Sequence, residues 1–301
     1  MRAIKIAFRT ITILLLLTSL VTAKDKLGLL VVAHGAPSPA WNQPVLDLES
    51  EIAETMQVAH PGLFGSIRVA LMEFAEPSIA TVISDMEDEG IDRVYVLPLF
   101  IAPSGHSLYD LPTILGLYSD RELVAELTEE GIKIVRTDMK ITLGPTLDAE
   151  VIKSIAIDRA KAISSDPDSE AVIILAHGDR NFEPIWSSLA REVGSSVCAD
   201  LGIAYFDYGF VGMGQAFISE GAPPIFRALG KHRRVLVLGL YLCSSIESIA
   251  QKAASRFGGG HGNSEAIFSG QDVRFADKGL LPDDRIADWV VQEASEWAQG
   301  L

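Results

Sequence analysis

Four residues stand where a chain of this kind could do chemistry: His34, His106, His177 and Glu247. His34 closes the apolar run LGLLVVA and precedes Gly35, and His177 closes AVIILA and precedes Gly178. His106 follows RVYVLPLFIAPSG, and Glu247 follows RRVLVLGLYLCSSI at the matching distance. Imidazole and carboxylate are suitable ligands for first-row divalent metals. A neutral imidazole also exchanges protons near neutrality. Each half of the chain therefore offers a pair, His34 with His106 and His177 with Glu247. A site with two or three protein ligands leaves metal positions open for a substrate.

The elements that must carry these residues follow from periodicity. Continuous Val-, Ile- and Leu-rich runs alternate with amphipathic stretches, the pattern of a parallel sheet in an α/β fold. Strands are expected at 27–35, 66–74, 93–103 and 132–139. Helices are expected at 44–56, 78–89, 108–117, 120–130 and 146–163. The second half restates the first, with an offset of 143 residues from His34 to His177 and 141 from His106 to Glu247. A repeat this long is a duplicated α/β domain rather than a solenoid. Ligands of open parallel sheets bind outside the carboxyl ends of the strands, where all four residues fall.

The polar stretch DPDSE (166–170) reads as a linker. It divides the chain into an N-terminal domain, 24–165, and a C-terminal domain, 166–301. Residues 1–23 are a third element: Arg2, Lys5 and Arg9 precede a short apolar run that ends in Val21-Thr22-Ala23, the pattern of a secretory signal peptide. Their removal takes three positive charges and leaves −18 from a total of −15. An exported, periplasmic location is expected, with no later segment apolar enough to span a membrane. An oxidising compartment permits a Cys198–Cys243 disulfide.

Composition excludes several classes. Of the 301 residues 48% are hydrophobic and 22% charged, which excludes wholesale disorder. The acidic balance sets aside nucleic-acid binding. No Walker pattern, no Rossmann fingerprint after a strand and no GxSxG elbow occurs, so neither a nucleotide nor a serine nucleophile is expected. His60, His232 and the glycine-loop His261 read as surface residues.

The segments LLVVAHGAPSP, VALMEFAEPSI, DRVYVLPLFIAPSGHSLYDLP and IILAHGDRNFEP resemble the class II tetrapyrrole chelatases. The resemblance is closest to sirohydrochlorin cobaltochelatases of the CbiX type and more distant to ferrochelatase. It implies two similar α/β halves with a cleft between them, and insertion of a divalent metal into a metal-free tetrapyrrole without a nucleotide. Cobalt is the metal first implied, with nickel or iron as alternatives, and the pathway implied is cobalamin or related tetrapyrrole biosynthesis. The cobaltochelatase pattern assigns metal binding to His34 and His106; the ferrochelatase-like pattern assigns it to His177 and Glu247. Family members often carry Ser-Arg after the first His-Gly, where this chain has Ala36-Pro37-Ser38; the second half keeps Arg180. Arg180 is accordingly the residue expected to meet the carboxylates of the tetrapyrrole. The same ligand pairs would also serve an exported metal- or haem-binding carrier without turnover. The oligomeric state and the active half stay open at this level.

Overall fold

Seven apolar residues, Leu27–Ala33, form β1, and every one of them is buried. A strand buried on both faces requires cover on both sides, and the chain supplies it with helices. The computed structural model describes residues 25–257 and 267–301. Residues 1–23 and His261 therefore lie outside the described residues. Among the described residues no helix is long and apolar enough to cross a membrane.

The first half runs β1, α1 (Pro39–Ala59), β2 (Ser66–Leu71), α2 (Ile79–Asp88) and β3 (Arg93–Pro98). A π-helical turn follows (His106–Asp110), then α3 (Leu111–Ile114), α4 (Arg121–Glu129), β4 (Lys140–Leu143) and α5 (Ala149–Ile163). The second half runs β5 (Glu170–Ala176), α6 (Glu183–Leu201), β6 (Phe206–Phe210), α7 (Ala222–Leu229), β7 (Arg234–Leu240), α8 (Ile246–Phe257), β8 (Asp272–Phe275) and α9 (Asp284–Gln299). Both sheets are four-stranded and all parallel, with the orders β2-β1-β3-β4 and β6-β5-β7-β8. The expected α/β fold of two similar, chelatase-like units is thus present, strand for strand.

Three sequence expectations shift. The fourth strand is Lys140–Leu143, not 132–139. The residues before it pack differently: Val135 is buried and donates its N–H to the Ile114 carbonyl at 2.7 Å, which leaves KITL to pair with β3. Helix α1 begins at Pro39, where a missing N–H costs nothing, and keeps Pro44 inside. The polar stretch 166–170 ends on a buried residue, Glu170, rather than a solvated one.

The packing crosses the midpoint of the chain. Helix α5, which belongs to the first repeat, packs on α6 and β7 of the second. Helix α9, the last of the second, packs on α1, β1 and β3 of the first, where Trp297 stacks on Tyr95 at 4.8 Å with ring planes 7° apart. One apolar core therefore runs through both halves, with a smaller one beneath α2, α3 and α4. Cys198 and Cys243 are free thiols, so the disulfide permitted by the sequence does not form. Burial pushes the two thiols up to about 11 and about 12, which leaves both unreactive near neutrality.

Candidate functional site

The carboxyl end of the first sheet brings three donors together. His34 leaves β1, Glu73 lies two residues beyond β2, and His106 opens the π-helical turn after β3. Their ligand atoms all lie within 4.8 Å of one another, with 3.9 Å between His34 Nε2 and Glu73 Oε1. Donors bound to one ion at about 2.0–2.2 Å stand about 3–4 Å apart, so closure needs side-chain shifts of only about 1 Å. Among the described residues this is the one such group of three. His34 and His106 were expected here; Glu73 was not.

Each histidine is held in the form that suits a ligand. His34 Nδ1 donates to the Gly35 carbonyl at 2.9 Å. His106 Nδ1 donates to Asp110 Oδ2 at 2.7 Å. Because the partners are acceptors, the ring protons sit on Nδ1 and both Nε2 lone pairs are free. A carboxylate behind an imidazole orients the ring and raises its basicity. The hydrogen bond to Asp110 raises the pKa of His106 above its ordinary value against the opposing effect of burial, helped by the charges of Asp110, Glu73 and Asp179. The two imidazoles meet edge to face at 4.6 Å.

The backbone explains why these residue types stand here. Gly35 has φ +87°, and a β-carbon on it would lie 2.3 Å from the Glu73 carbonyl oxygen. The turn after β1 can thus press against the turn after β2 only with glycine between them. Buried Asn42 clamps the same turn, exchanging two 2.9 Å hydrogen bonds with the backbone of Ala36. Phe74 has φ +68°, a conformation that costs a non-glycine residue about 1–2 kcal/mol. That strain sits directly after Glu73 and turns its exposed ring toward His34, 5.9 Å away. Buried Ser107 fixes the third turn by accepting from Ser104 N–H at 2.9 Å.

The second half repeats this scaffold with different chemistry. His177 Nδ1 donates to the Gly178 carbonyl at 2.7 Å, as His34 does to Gly35. Glu247 accepts from Gln251 four residues on, the pairing that His106 makes with Asp110. The third position differs. Glu73 donates its N–H to the His34 carbonyl; the residue that does so to His177 is Gly212. Its carbonyl is held by the Tyr241 hydroxyl at 2.7 Å. His177 and Glu247 therefore have no third donor at the place of Glu73. Arg180 is exposed in the short turn Arg180–Phe182 and has no carboxylate partner among the described residues. Two other arginines near the sheets are engaged: Arg68 with Glu89, and Arg234 with Glu170 and Asp272.

Between the halves lies a hollow of about 460 Å³, lined by Ile101, Pro103 and Leu147 on one side and Ile185, Leu189 and Glu192 on the other. A recess of about 390 Å³ opens beside Glu73 and Phe74. Phe74, Leu108 and Tyr109 from the first half, and Ile185 and Met213 from the second, are exposed near the carboxyl ends of the strands. Exposed apolar side chains around a polar centre suit a large flat ligand with an apolar face.

Glu73 has no titratable counterpart in the second half, where its equivalent is Gly212, so the repeat does not mark it. A signal was available: LMEF places a carboxylate just past the second strand, at the same sheet end as His34 and His106. The spacing of Asp110 from His106, i to i+4, likewise marks a pair on one helical face.

The CbiX family model matches residues 28–161. A sirohydrochlorin cobaltochelatase from Methanococcus maripaludis is 36% identical over 91 residues, which are 30% of this chain and 59% of that protein. One from Methanococcoides burtonii is 28% identical over 140 residues, 46% of this chain and 98% of that protein. The chain thus spans about 59% of the length of the first relative and nearly all of the second. Among solved structures, SirB from Bacillus subtilis with Fe3+ aligns over 91% of this chain and 96% of its own, with a TM-score of 0.59 and 16% identity, a likeness of fold. Residues 28–161, less than half of the chain, are thus similar to the CbiX family, and the fold is similar to that of SirB.

Proposed function

We propose that this protein inserts a divalent metal into a metal-free tetrapyrrole of the sirohydrochlorin class, and that the first half carries the reaction. The observation that carries this reading is the convergence of His34, Glu73 and His106 within 4.8 Å, with both imidazole Nε2 atoms free. The metal is a substrate here, so the site must hold it and release it. Three protein donors leave coordination positions for water and then for ring nitrogens. As the ion moves to the ring, two pyrrolic protons must leave. The same Nε2 and carboxylate atoms become free at that moment to receive them. His106 is well suited to take one, because Asp110 stabilises its imidazolium. Binding energy from the apolar rim would drive distortion of the macrocycle toward the metal.

The names of the curated relatives support cobalt as the metal and sirohydrochlorin as the ring. SirB with Fe3+ supports iron as the alternative. Exposed Arg180 is the cation we assign to the substrate carboxylates. An acidic protein repels a polycarboxylate at long range, but salt screens that within about 8 Å, so a local cation decides. Residues 1–23 support export, with insertion outside the cytoplasm.

The test is anaerobic metallation of sirohydrochlorin by the chain from Lys24 onward, with cobalt in excess and protein at one hundredth of the tetrapyrrole. Many turnovers above the uncatalysed rate are expected. Metal bound once per chain, with the ring left unmetallated, would sink the enzyme reading and favour a carrier.

A further inference from the structure

The second half lacks the third donor, yet it reaches the donor cluster of the first. Asp179 follows His177-Gly178, and its counterpart in the first half is Ala36, so a carboxylate here is not an echo of the repeat. Its Oδ1 accepts from the Asn181 N–H at 2.9 Å and starts the short turn Arg180–Phe182. Its Oδ2 crosses between the halves and accepts from the Gly105 N–H at 3.4 Å. Gly105 is the residue from which the His106 turn begins. Asp179 also adds its negative charge to the field at His106, beside Asp110 and Glu73.

We propose that Asp179 is a positioning residue for the metal site of the other half. It anchors the turn that carries His106 and adds a carboxylate charge facing the bound cation. The inference rests on the metal-site reading above. At 3.4 Å the bond to Gly105 is long, so the charge contributes more than the directional contact. That ranking selects the variants. Asp179→Asn keeps a side chain able to cap the turn and to accept from Gly105, and removes only the charge. Asp179→Ala removes all three.

The experiment titrates cobalt(II) alone into the full chain and follows the visible absorption that reports imidazole ligation. Outer partners of metal ligands are worth about 10–100-fold in affinity. The expected result is about 10-fold weaker binding for Asp179→Asn, a larger loss for Asp179→Ala, and a changed band shape in both. Melting of Asp179→Asn should match the wild type, which a merely structural role would not combine with weakened binding. Wild-type affinity and spectrum in Asp179→Asn and in folded Asp179→Ala would overturn the inference. If Asp179→Ala does not fold, Asp179→Asn decides alone. A wild-type chain that gives no cobalt spectrum would overturn the metal site itself and this inference with it.

Discussion

What stands behind the imidazoles of His34 and His106 leaves each ring able to act as a ligand. His106 depends on Asp110, whose carboxylate takes the Nδ1 proton bond at 2.7 Å. Replacing Asp110 by Ala should weaken cobalt binding about 10- to 100-fold while leaving the melting temperature within a few degrees, as read by titration and calorimetry. His34 depends on the glycine after it. In Gly35→Ala the new methyl would fall 2.3 Å from the Glu73 carbonyl, so the Glu73 turn must move. We expect that variant to lose metal affinity at least 10-fold. Gly178→Ala meets the Phe210 side chain at 2.6 Å instead, and it should destabilise the second half and reach the affinity only indirectly, through Asp179, by less than Gly35→Ala does. Equal effects of the two substitutions on binding would count against metal donors drawn from the first half alone. His34 and His106 were legible in the sequence because the repeat marks strand ends. Glu73 was not, because it breaks the repeat, and neither was Asp179, whose role depends on a contact between halves 74 residues apart in sequence.

At the level of elements, the strongest constraint is at the start of β5. Glu170 is buried and accepts from Ser164 Oγ at 2.6 Å, from the N–H groups of Ser165 and Asp166, and from Arg234 at 3.1 Å. Burial pushes its carboxyl pKa up, but the combined donors outweigh that and hold it below the usual range. A depressed folded value means that the unfolded chain takes the proton more readily. The stabilisation is therefore complete above about pH 4.3, the ordinary glutamate value, and is lost as pH falls through the folded value. Glu170→Ala should cost about 1–3 kcal/mol at neutral pH, because several donors lose their buried acceptor while Arg234 keeps Asp272. It should also flatten the acid limb of a stability-against-pH curve measured by urea unfolding. The polar letters of residues 166–170 suggested a linker, and only tertiary contacts turn the last of them inward. The expected strand at 132–139 failed for a related reason. Val135 is a core residue bonded to α3, and Ile132, Ile134 and Met139 pack partly buried against the same core, outside the sheet.

At the scale of the molecule, the duplication and the packing follow different boundaries. The sequence repeat divides near residue 165, whereas α5 covers the second sheet and α9 covers the first. The alternation of strands and helices made the two parallel sheets legible; the exchange of helices could not be read, since an amphipathic helix does not state which sheet it will cover. A fragment of residues 24–165 would leave bare the face of β1 and β3 that Trp297 and its neighbours bury. It should give no cooperative monomeric unfolding transition by calorimetry, and addition of a second chain segment containing residues 284–301 should restore one. A fragment that melts as sharply as the full chain would show that α9 is dispensable.

The proposed metal insertion is assigned to the first half, and two glutamates divide the possibilities. Initial rates of sirohydrochlorin metallation should be measured for Glu73→Gln beside Glu247→Gln, with the unmodified chain as reference. Assignment to the first half requires a loss of at least 10-fold for Glu73→Gln and a rate near the reference for Glu247→Gln. The reverse order would contradict it and place the reaction with His177 and Glu247 in the second half.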